Sequence, residues 1–310
     1  MVSRRPRANY ALVACSSLLG LGIVVLGTGI REKLATGIEE LDRADPTLLG
    51  LAVLAFAGGL ACSGLAWRAG LEAAGVRTSA LDAVARYVTG SLVNSLVPLR
   101  AGGAVRISLY LRVSPSARAV AGVAASIGAV RAGALAALVV AASATVPVPA
   151  WPGALLVGAA VAAALVAAWL ARSLTGLRAT AVWVLGASVG RVAGAMFVAL
   201  AFGAPQPLVA GIAVVAAMEL AATLPLTPGN VALSTAAVAF VLTALGLPGE
   251  IALAAGLCLA MVETLTSFVL GLAGVAYLTG AAPRPRRRPL WRPRLMRWPR
   301  RYFTEPASSP

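Results

Sequence analysis

Histidine is absent from this chain of 310 residues, and cysteine occurs at three positions only. Cys15, Cys62 and Cys258 lie far apart, each inside an apolar run, so no pair has the spacing of a zinc site. Charged residues are also scarce, at 12% of the chain. No phosphate-binding loop or close pair of carboxylates is evident. The sequence therefore predicts no metal and no cofactor, and we do not expect an enzyme.

The sequence contains several long stretches without any charged residue. Apolar residues make up 59% of the chain, and residues 10–30, 47–67, 132–171 and 192–218 carry no charge. A helix needs about 20 apolar residues to cross roughly 30 Å of hydrocarbon. The predicted fold class is therefore all-α, a polytopic helical membrane protein, with 10–30 as a retained first span.

Arginines mark both ends of the chain. The segment 1–9 carries three arginines, and 281–310 carries nine. Basic residues in short segments beside spans stay in the cytoplasm. We therefore predict a multi-pass protein of the cell (inner or plasma) membrane, with both termini cytoplasmic. Its polytopic transmembrane domain extends over 10–280 and has an even number of full crossings.

Two breaks interrupt the series of predicted spans. The short apolar segment 87–99 contains Pro98 near its end, and arginines lie on both sides of the segment. The second break, at 225–229, reads Pro-Leu-Thr-Pro-Gly. Non-helical backbone at membrane depth must be buried in protein or face a watery cavity. We predict about six full spans plus two re-entrant helical hairpins of opposite orientation, which is an inverted repeat. Eight full spans are the alternative.

Four ionisable residues lie within apolar runs, namely Arg131, Arg191, Glu219 and Glu263. A charged side chain at the centre of a spanning helix costs at least about 2.5–3.5 kcal/mol. Such residues usually face the protein interior, pair with one another or line a pathway. Two interpretations stay open: structural ion pairs, or a polar track that contacts a lipid headgroup or an ion.

Both breaks also carry a recognisable motif. The segment YVTGSLVNSLVPLRAGGAVRISLYLR and the later Pro-Leu-Thr-Pro-Gly element resemble the transmembrane domain of lysylphosphatidylglycerol synthases, also called the flippase-like or YbhN-like family. The resemblance extends over roughly 48–278. It implies a substrate-binding cavity for a lipid phosphate that involves the matching residues Asn94, Pro98, Arg100, Gly102, Arg106, Arg131, Thr227, Pro228 and Gly229.

The chain departs from the family pattern at acidic positions. Gly103 and Val130 stand where the family has glutamate, and Ser234 or Thr235 stands near a third such position. A chain that has lost acidic groups but kept its arginines suits an anionic ligand, or a member that transports nothing. No segment resembles the soluble aminoacyl-transfer domain of the full-length synthases, so synthesis of a lysyl lipid is not implied.

The predicted function is that of a flippase-like protein that binds or translocates a phospholipid or a lipid-linked intermediate. Arg100, Arg106 and Arg131 would contact the phosphate, because the planar guanidinium pairs bidentately with phosphate oxygens. One alternative is a non-transporting accessory subunit of a glycosyltransferase or lipid-modifying enzyme. Another is a small-solute secondary transporter that uses Glu219 and Glu263 for ion coupling.

The tail 281–310 mixes arginine with proline and also contains Trp291 and Trp298. The prolines forbid a continuous helix, so we predict a disordered cytoplasmic segment. An anionic inner leaflet attracts each basic residue by about 1 kcal/mol, and tryptophan favours the interface. The predicted partners are membrane phospholipids, with anionic headgroups at the tail, or alternatively a glycosyltransferase or lipid-modifying enzyme. Nucleic acid is not expected.

Overall fold

Helices make up almost all of the described structure. The computed structural model describes residues 44–96, 101–114, 116–144, 177–222 and 231–280. Within these ranges the chain forms eight helices and no strand, which confirms the predicted all-α class. In chain order the helices are α1 (Pro46–Ala73), α2 (Ala80–Leu96), α3 (Ala101–Leu111), α4 (Ala117–Ser143), α5 (Leu177–Ala201), α6 (Pro207–Ala221), α7 (Val231–Ala244) and α8 (Gly249–Gly280).

The long helices have the length and composition of membrane spans. Among the described residues, four helices are long and apolar enough to cross a bilayer. They are Pro46–Ala73, Ala117–Ser143, Thr180–Ala201 and Gly249–Gly280. These helices are those of an integral membrane protein, as predicted. The predicted first span 10–30, the later part of the uncharged stretch 132–171 and the tail 281–310 lie outside the described residues, so a total of six or eight crossings stays a prediction.

Helix α1 begins and ends where its sequence directs. The side chain of Asp45 accepts a hydrogen bond from the backbone N–H of Thr47 at 2.8 Å, which caps the first turn. Pro46 occupies that turn, where a missing N–H costs nothing. After the last turn, Gly75 adopts a φ of +82°, a left-handed conformation that glycine tolerates best. The chain can therefore reverse direction and begin α2.

Small residues bring the spanning helices into close contact. α1 packs against α5 along much of its length, and α8 packs against α2. A Cβ atom added to Gly190 would lie 2.8 Å from the carbonyl oxygen of Ala55, and one added to Gly274 would lie 2.7 Å from that of Ala85. Helix association in membranes depends on such backbone approach, because lipid tails are as apolar as the side chains they replace.

α2 and α3 form an antiparallel helical hairpin. Near its open end the hydroxyl of Tyr110 donates to the carbonyl of Ala83 at 2.7 Å. Near the connection, Gly102 packs so closely on Gly90 that a Cβ atom at Gly102 would collide with the carbonyl oxygen of Gly90. Contacts therefore pair early residues of α2 with late residues of α3. α2 and α3 are therefore antiparallel; that they form a re-entrant element stays a prediction.

Neither arm of this hairpin is long enough to cross a bilayer alone. α2 has 17 residues and α3 has 11. At a rise of about 1.5 Å per residue they extend about 25 Å and about 16 Å, against roughly 30 Å of hydrocarbon. The connection 97–100, which contains Pro98 and Arg100, lies outside the described residues.

The second break separates two short apolar helices that pack against each other, α6 and α7. They have 15 and 14 residues, so each extends about 22 Å. The intervening residues 223–230, which include the predicted site residues Thr227, Pro228 and Gly229, lie outside the described residues. The inverted repeat therefore stays a prediction.

The apolar interior consists mainly of two clusters of buried side chains. One combines α1 and α5 with α6, α7 and α8, and it includes Phe56, Val198 and Leu259. The other combines α1 and α5 with α2, α3 and α4, and it includes Leu71, Val120 and Tyr110. Helices α1 and α5 contribute to both clusters. Each of these helices therefore passes from one cluster to the other part-way along its length.

Candidate functional site

The four charges predicted within the apolar runs lie at similar levels of the bundle. Arg131 is close to the middle of α4, Arg191 is close to the middle of α5, and Glu263 is close to the middle of α8. Glu219 lies in the last turn of the shorter helix α6. Four helices thus each contribute one ionisable side chain at this level; those of Arg191, Glu219 and Glu263 are partly buried, and Arg131 is more exposed.

The boundary between the two apolar clusters coincides with these charges. On α5, Val184 belongs to the α2–α4 cluster and Ala195 belongs to the α6–α8 cluster, with Arg191 between them. On α8, Val262 belongs to the α6–α8 cluster, and Leu270 packs against the α2–α4 cluster. We call this boundary the polar seam; it contains Arg131, Arg191, Glu219 and Glu263.

Arg191 is shared by two carboxylates from two other helices. It forms an ion pair with Glu219, and its Nη2 lies 3.2 Å from Oε1 of Glu263. The three side chains remain 28%, 36% and 32% exposed for Arg191, Glu219 and Glu263. A single guanidinium therefore links α5 to both α6 and α8. Of the two open interpretations, ion pairing is present for these three residues.

Arg131 has a different partner. Its Nη2 donates a hydrogen bond of 2.9 Å to the hydroxyl of Tyr87, which is buried in α2. The guanidinium of Arg106 lies over the ring of the same tyrosine, 3.9 Å from its centroid. A phenol offers an acceptor oxygen and a ring face that attracts cations. Among the described residues, no ion pair joins Arg106 or Arg131 to a carboxylate.

The hairpin supplies further polar groups beside Arg106. Nη2 of Arg106 donates a hydrogen bond to the hydroxyl of Ser91 at 3.2 Å. The Nε of Arg106 and the side-chain oxygen of Asn94 are both buried, and neither has a hydrogen-bond partner within the described part of the chain. A Cβ atom at Gly102 would lie 2.5 Å from that Asn94 oxygen, so only glycine fits here without a shift. The predicted residues Asn94, Gly102 and Arg106 are therefore brought together.

A cavity of about 110 Å³ lies between α4, α5 and α6. Its polar lining consists of Arg131, Ser188, Arg191 and Glu219, and the rest is formed by alanine, leucine and valine. A single water needs on the order of 10–15 Å³ by the same measure. The cavity therefore has room for several waters or for the anionic part of a larger molecule.

Tyr87, Ser91 and Ser188 were not predicted as site residues. The first two had a detectable signal, since Tyr87, Ser91 and Asn94 are spaced i, i+4 and i+7 and so lie on one face of α2. Ser188 had none, because a lone serine in an apolar helix usually bonds to its own backbone, and here its hydroxyl also donates to the carbonyl of Val184.

Guanidiniums outnumber carboxylates when Arg106, which lies beside the polar seam, is counted together with the seam residues. Three guanidiniums, those of Arg106, Arg131 and Arg191, stand against the two carboxylates that pair with Arg191. Among the described residues there is no group of three side chains suited to hold a metal ion. No protein-family model and no curated protein matches this sequence.

Proposed function

We propose that this protein binds the phosphate group of a phospholipid or lipid-linked intermediate in the membrane and translocates the molecule, as a flippase-like protein. The observation that supports this most directly is the position of Arg131. Its guanidinium lines the cavity and is bonded to the hydroxyl of Tyr87 rather than to a carboxylate. A phosphate oxyanion is the ligand that such a guanidinium binds best.

Charge balance supports the same conclusion. Among the described residues, the guanidiniums of the polar seam and of Arg106 number three and the carboxylates of the seam number two, which is a net excess of one positive charge; both carboxylates pair with Arg191. An unpaired charge within a membrane protein is unfavourable. A bound phosphate would supply the missing negative charge.

The apolar part of the cavity suits a lipid. Leu135, Leu138 and Val215 line it beside the charged groups. A headgroup phosphate could contact the arginines while the acyl chains remain against these side chains. An inorganic anion would make no use of the apolar lining.

The wider setting is part of the proposal. The chain is proposed to be a relative of the flippase-like family, with both termini in the cytoplasm of the cell membrane. The motif residues Asn94, Gly102 and Arg106 support this, because they meet in one hairpin. Arg100 is proposed to contact the same phosphate from the hairpin's connection, and the arginine-rich tail to contact anionic headgroups.

Transbilayer lipid movement is the direct test. The purified protein would be reconstituted in vesicles that contain a fluorescent phospholipid, and a membrane-impermeant quencher would report how much lipid has reached the outer leaflet. Arg131→Gln should lower the rate at least tenfold, because the phosphate loses its unpaired cation. Arg118→Gln is the matched control, since Arg118 lies at the exposed start of the same helix and loses the same charge.

Equal lipid movement by wild type and Arg131→Gln would refute the assignment of Arg131 to the phosphate. Equal losses in Arg131→Gln and Arg118→Gln would attribute the effect to overall charge.

A small-solute secondary transporter is the second candidate. The observation in its favour is the sharing of Arg191 by Glu219 and Glu263, since protonation of one carboxylate would leave the arginine paired with the other. Uptake of a water-soluble solute that depends on a proton gradient, without lipid movement, would favour this function over the first.

A further inference from the structure

The two glutamates that share Arg191 differ in their access to the cavity. Glu219 lines it together with Arg131 and Ser188, whereas Glu263 is not among its described lining residues. Both glutamates pair with Arg191, but Glu219 is the one that a ligand in the cavity would meet.

We infer that Glu219 is an internal competitor for the anionic ligand, and that its carboxylate occupies the place beside Arg191 that phosphate oxygens take when a ligand binds. This inference rests on the proposed function, because it concerns the same site. Carboxylate and phosphate are both oxyanions that a guanidinium binds through two N–H donors. A resident carboxylate in an anion site must be displaced or must repel the incoming charge.

The second carboxylate on Arg191 makes this exchange feasible. Nη2 of Arg191 contacts Glu263 on α8, so Arg191 would keep a counter-ion while Glu219 moves away. Glu219 lies in the last turn of α6 and is 36% exposed, so its side chain can rotate without disturbing the buried face of that helix.

Few charged groups oppose or assist the exchange. The helices packed against α6 are α4, α5 and α7. α4 contributes Arg131 and α5 contributes Arg191 to the cavity, and the sequence of α7 contains no ionisable residue. Glu219 is therefore the carboxylate that sets the negative charge of the described cavity.

This arrangement determines which ligands can bind. A molecule must compete with a carboxylate that is already in place, and a phosphate with several oxygens can engage Arg131 and Arg191 at once. We therefore expect phosphate-bearing ligands to be selected over fatty acids, whose single carboxylate offers no advantage over that of Glu219.

Binding measurements with the full-length protein in an uncharged detergent test the inference. Dioctanoylphosphatidylglycerol and inorganic phosphate would be titrated separately by calorimetry, with dioctanoylglycerol as the phosphate-free ligand. Glu219→Gln should tighten binding of the phosphate-bearing ligand about tenfold, because it removes one negative charge that repels the ligand. The effect stays moderate because water screens part of that repulsion. Glu263→Gln, which removes the same charge from the same arginine outside the cavity, should change it less than about threefold.

A second variant works in the opposite direction and leaves both glutamates in place. Ser188 lines the cavity from α5, so Ser188→Glu adds a carboxylate there. It should weaken binding about tenfold, and Ser188→Gln, of equal size and no charge, should not. This pair keeps the inference testable even if Glu219→Gln does not fold.

The outcomes separate the inference from the proposed function. Equal effects of Glu219→Gln and Glu263→Gln, or equal effects of the two Ser188 variants, would overturn the competitor role. Binding that is unchanged in Arg131→Gln would overturn the phosphate site itself, whatever Glu219 does. Tightening for inorganic phosphate alone would support the competitor role but assign the site to free phosphate rather than to a lipid headgroup.

Discussion

The guanidinium of Arg191 stabilises the centre of the protein because it pairs with two carboxylates at once. Removal of one partner of a buried ion pair costs about 3–5 kcal/mol, since the remaining charge is left without a counter-ion. Here the side chains keep 28–36% of their exposure, so water screens part of that loss. The residue is therefore a structural one as much as a part of the cavity.

Arg191→Gln should destabilise the protein by about 2 kcal/mol, which is less than for a fully buried pair. The apparent melting temperature in detergent would measure it. Adding Glu219→Gln and Glu263→Gln to the same chain removes the uncompensated charges, so most of the loss should be recovered.

Arg178→Gln is the control for this series, because Arg178 is exposed at the start of the same helix. A melting temperature of Arg191→Gln that equals that of Arg178→Gln would show that the two ion pairs contribute no stability.

At the scale of single residues, sequence reasoning found the charges but not all of their partners. Residues of opposite charge inside apolar runs usually form ion pairs, so the pairing of Arg191 with glutamates could be expected. The partner of Arg131 could not, because Tyr87 lies 44 positions earlier in the chain and tyrosine is not among the residues counted as charged in a sequence. Packing of α2 against its neighbours, which no local pattern encodes, brings these two residues together.

The hairpin of α2 and α3 depends on one glycine at its narrow end. A Cβ atom at Gly102 would collide with the backbone of Gly90 and lie 2.5 Å from the side chain of Asn94. Backbone atoms cannot move away as a flexible side chain can, so the two helices would have to separate.

Gly102→Ala should therefore destabilise the hairpin by about 1–3 kcal/mol. Gly103→Ala is the matched control at the next position, where an added Cβ atom meets nothing within 4 Å. Alanine also favours helix over glycine by up to about 1 kcal/mol, so the control should be neutral or slightly stabilising. Melting temperatures of the two variants would measure the difference, and equal values would show that the close contact is not required.

At the scale of elements, helix breaks were predictable and their consequences partly so. Pro98 marks the end of α2, and arginine on both sides favours a chain that turns back. Gly102 and Gly103, which the sequence also offered as helix breakers, lie in the first turn of α3. The antiparallel contacts of α2 and α3 agree with that reasoning. Sequence reasoning did not identify which small residues lie at helix contacts, since Gly102 and Gly103 look alike until α2 is packed beside them.

The hairpin also determines the topology of the whole molecule. If α2 and α3 enter and leave on one side, the residues before α2 and after α3 must face the same solution. The alternative with eight full spans places them on opposite sides. Arg77 and Arg112 are exposed residues at these two positions.

Cysteine labelling in membrane vesicles distinguishes the two topologies. In a chain whose three cysteines are replaced by serine, Arg77→Cys and Arg112→Cys should both react with a membrane-impermeant maleimide from the cytoplasmic side. Thr47→Cys, at the opposite end of α1, should react only from the other side. Labelling of Arg112→Cys from the external side alone would show that the segment crosses the membrane.

Arg191 and its two carboxylates are made at different times. The ribosome adds Glu263 72 residues after Arg191, which takes about 4–14 s at roughly 5–20 residues per second. During this interval Glu219, which belongs to the earlier helix α6, is the carboxylate of this group that can pair with Arg191. A cation at the centre of a helix that inserts alone costs at least about 2.5–3.5 kcal/mol. The ion pairs of Arg191 are therefore complete only after α8 has been synthesised, and we expect a chain truncated before α8 to hold α5 less stably in the membrane than the full chain does.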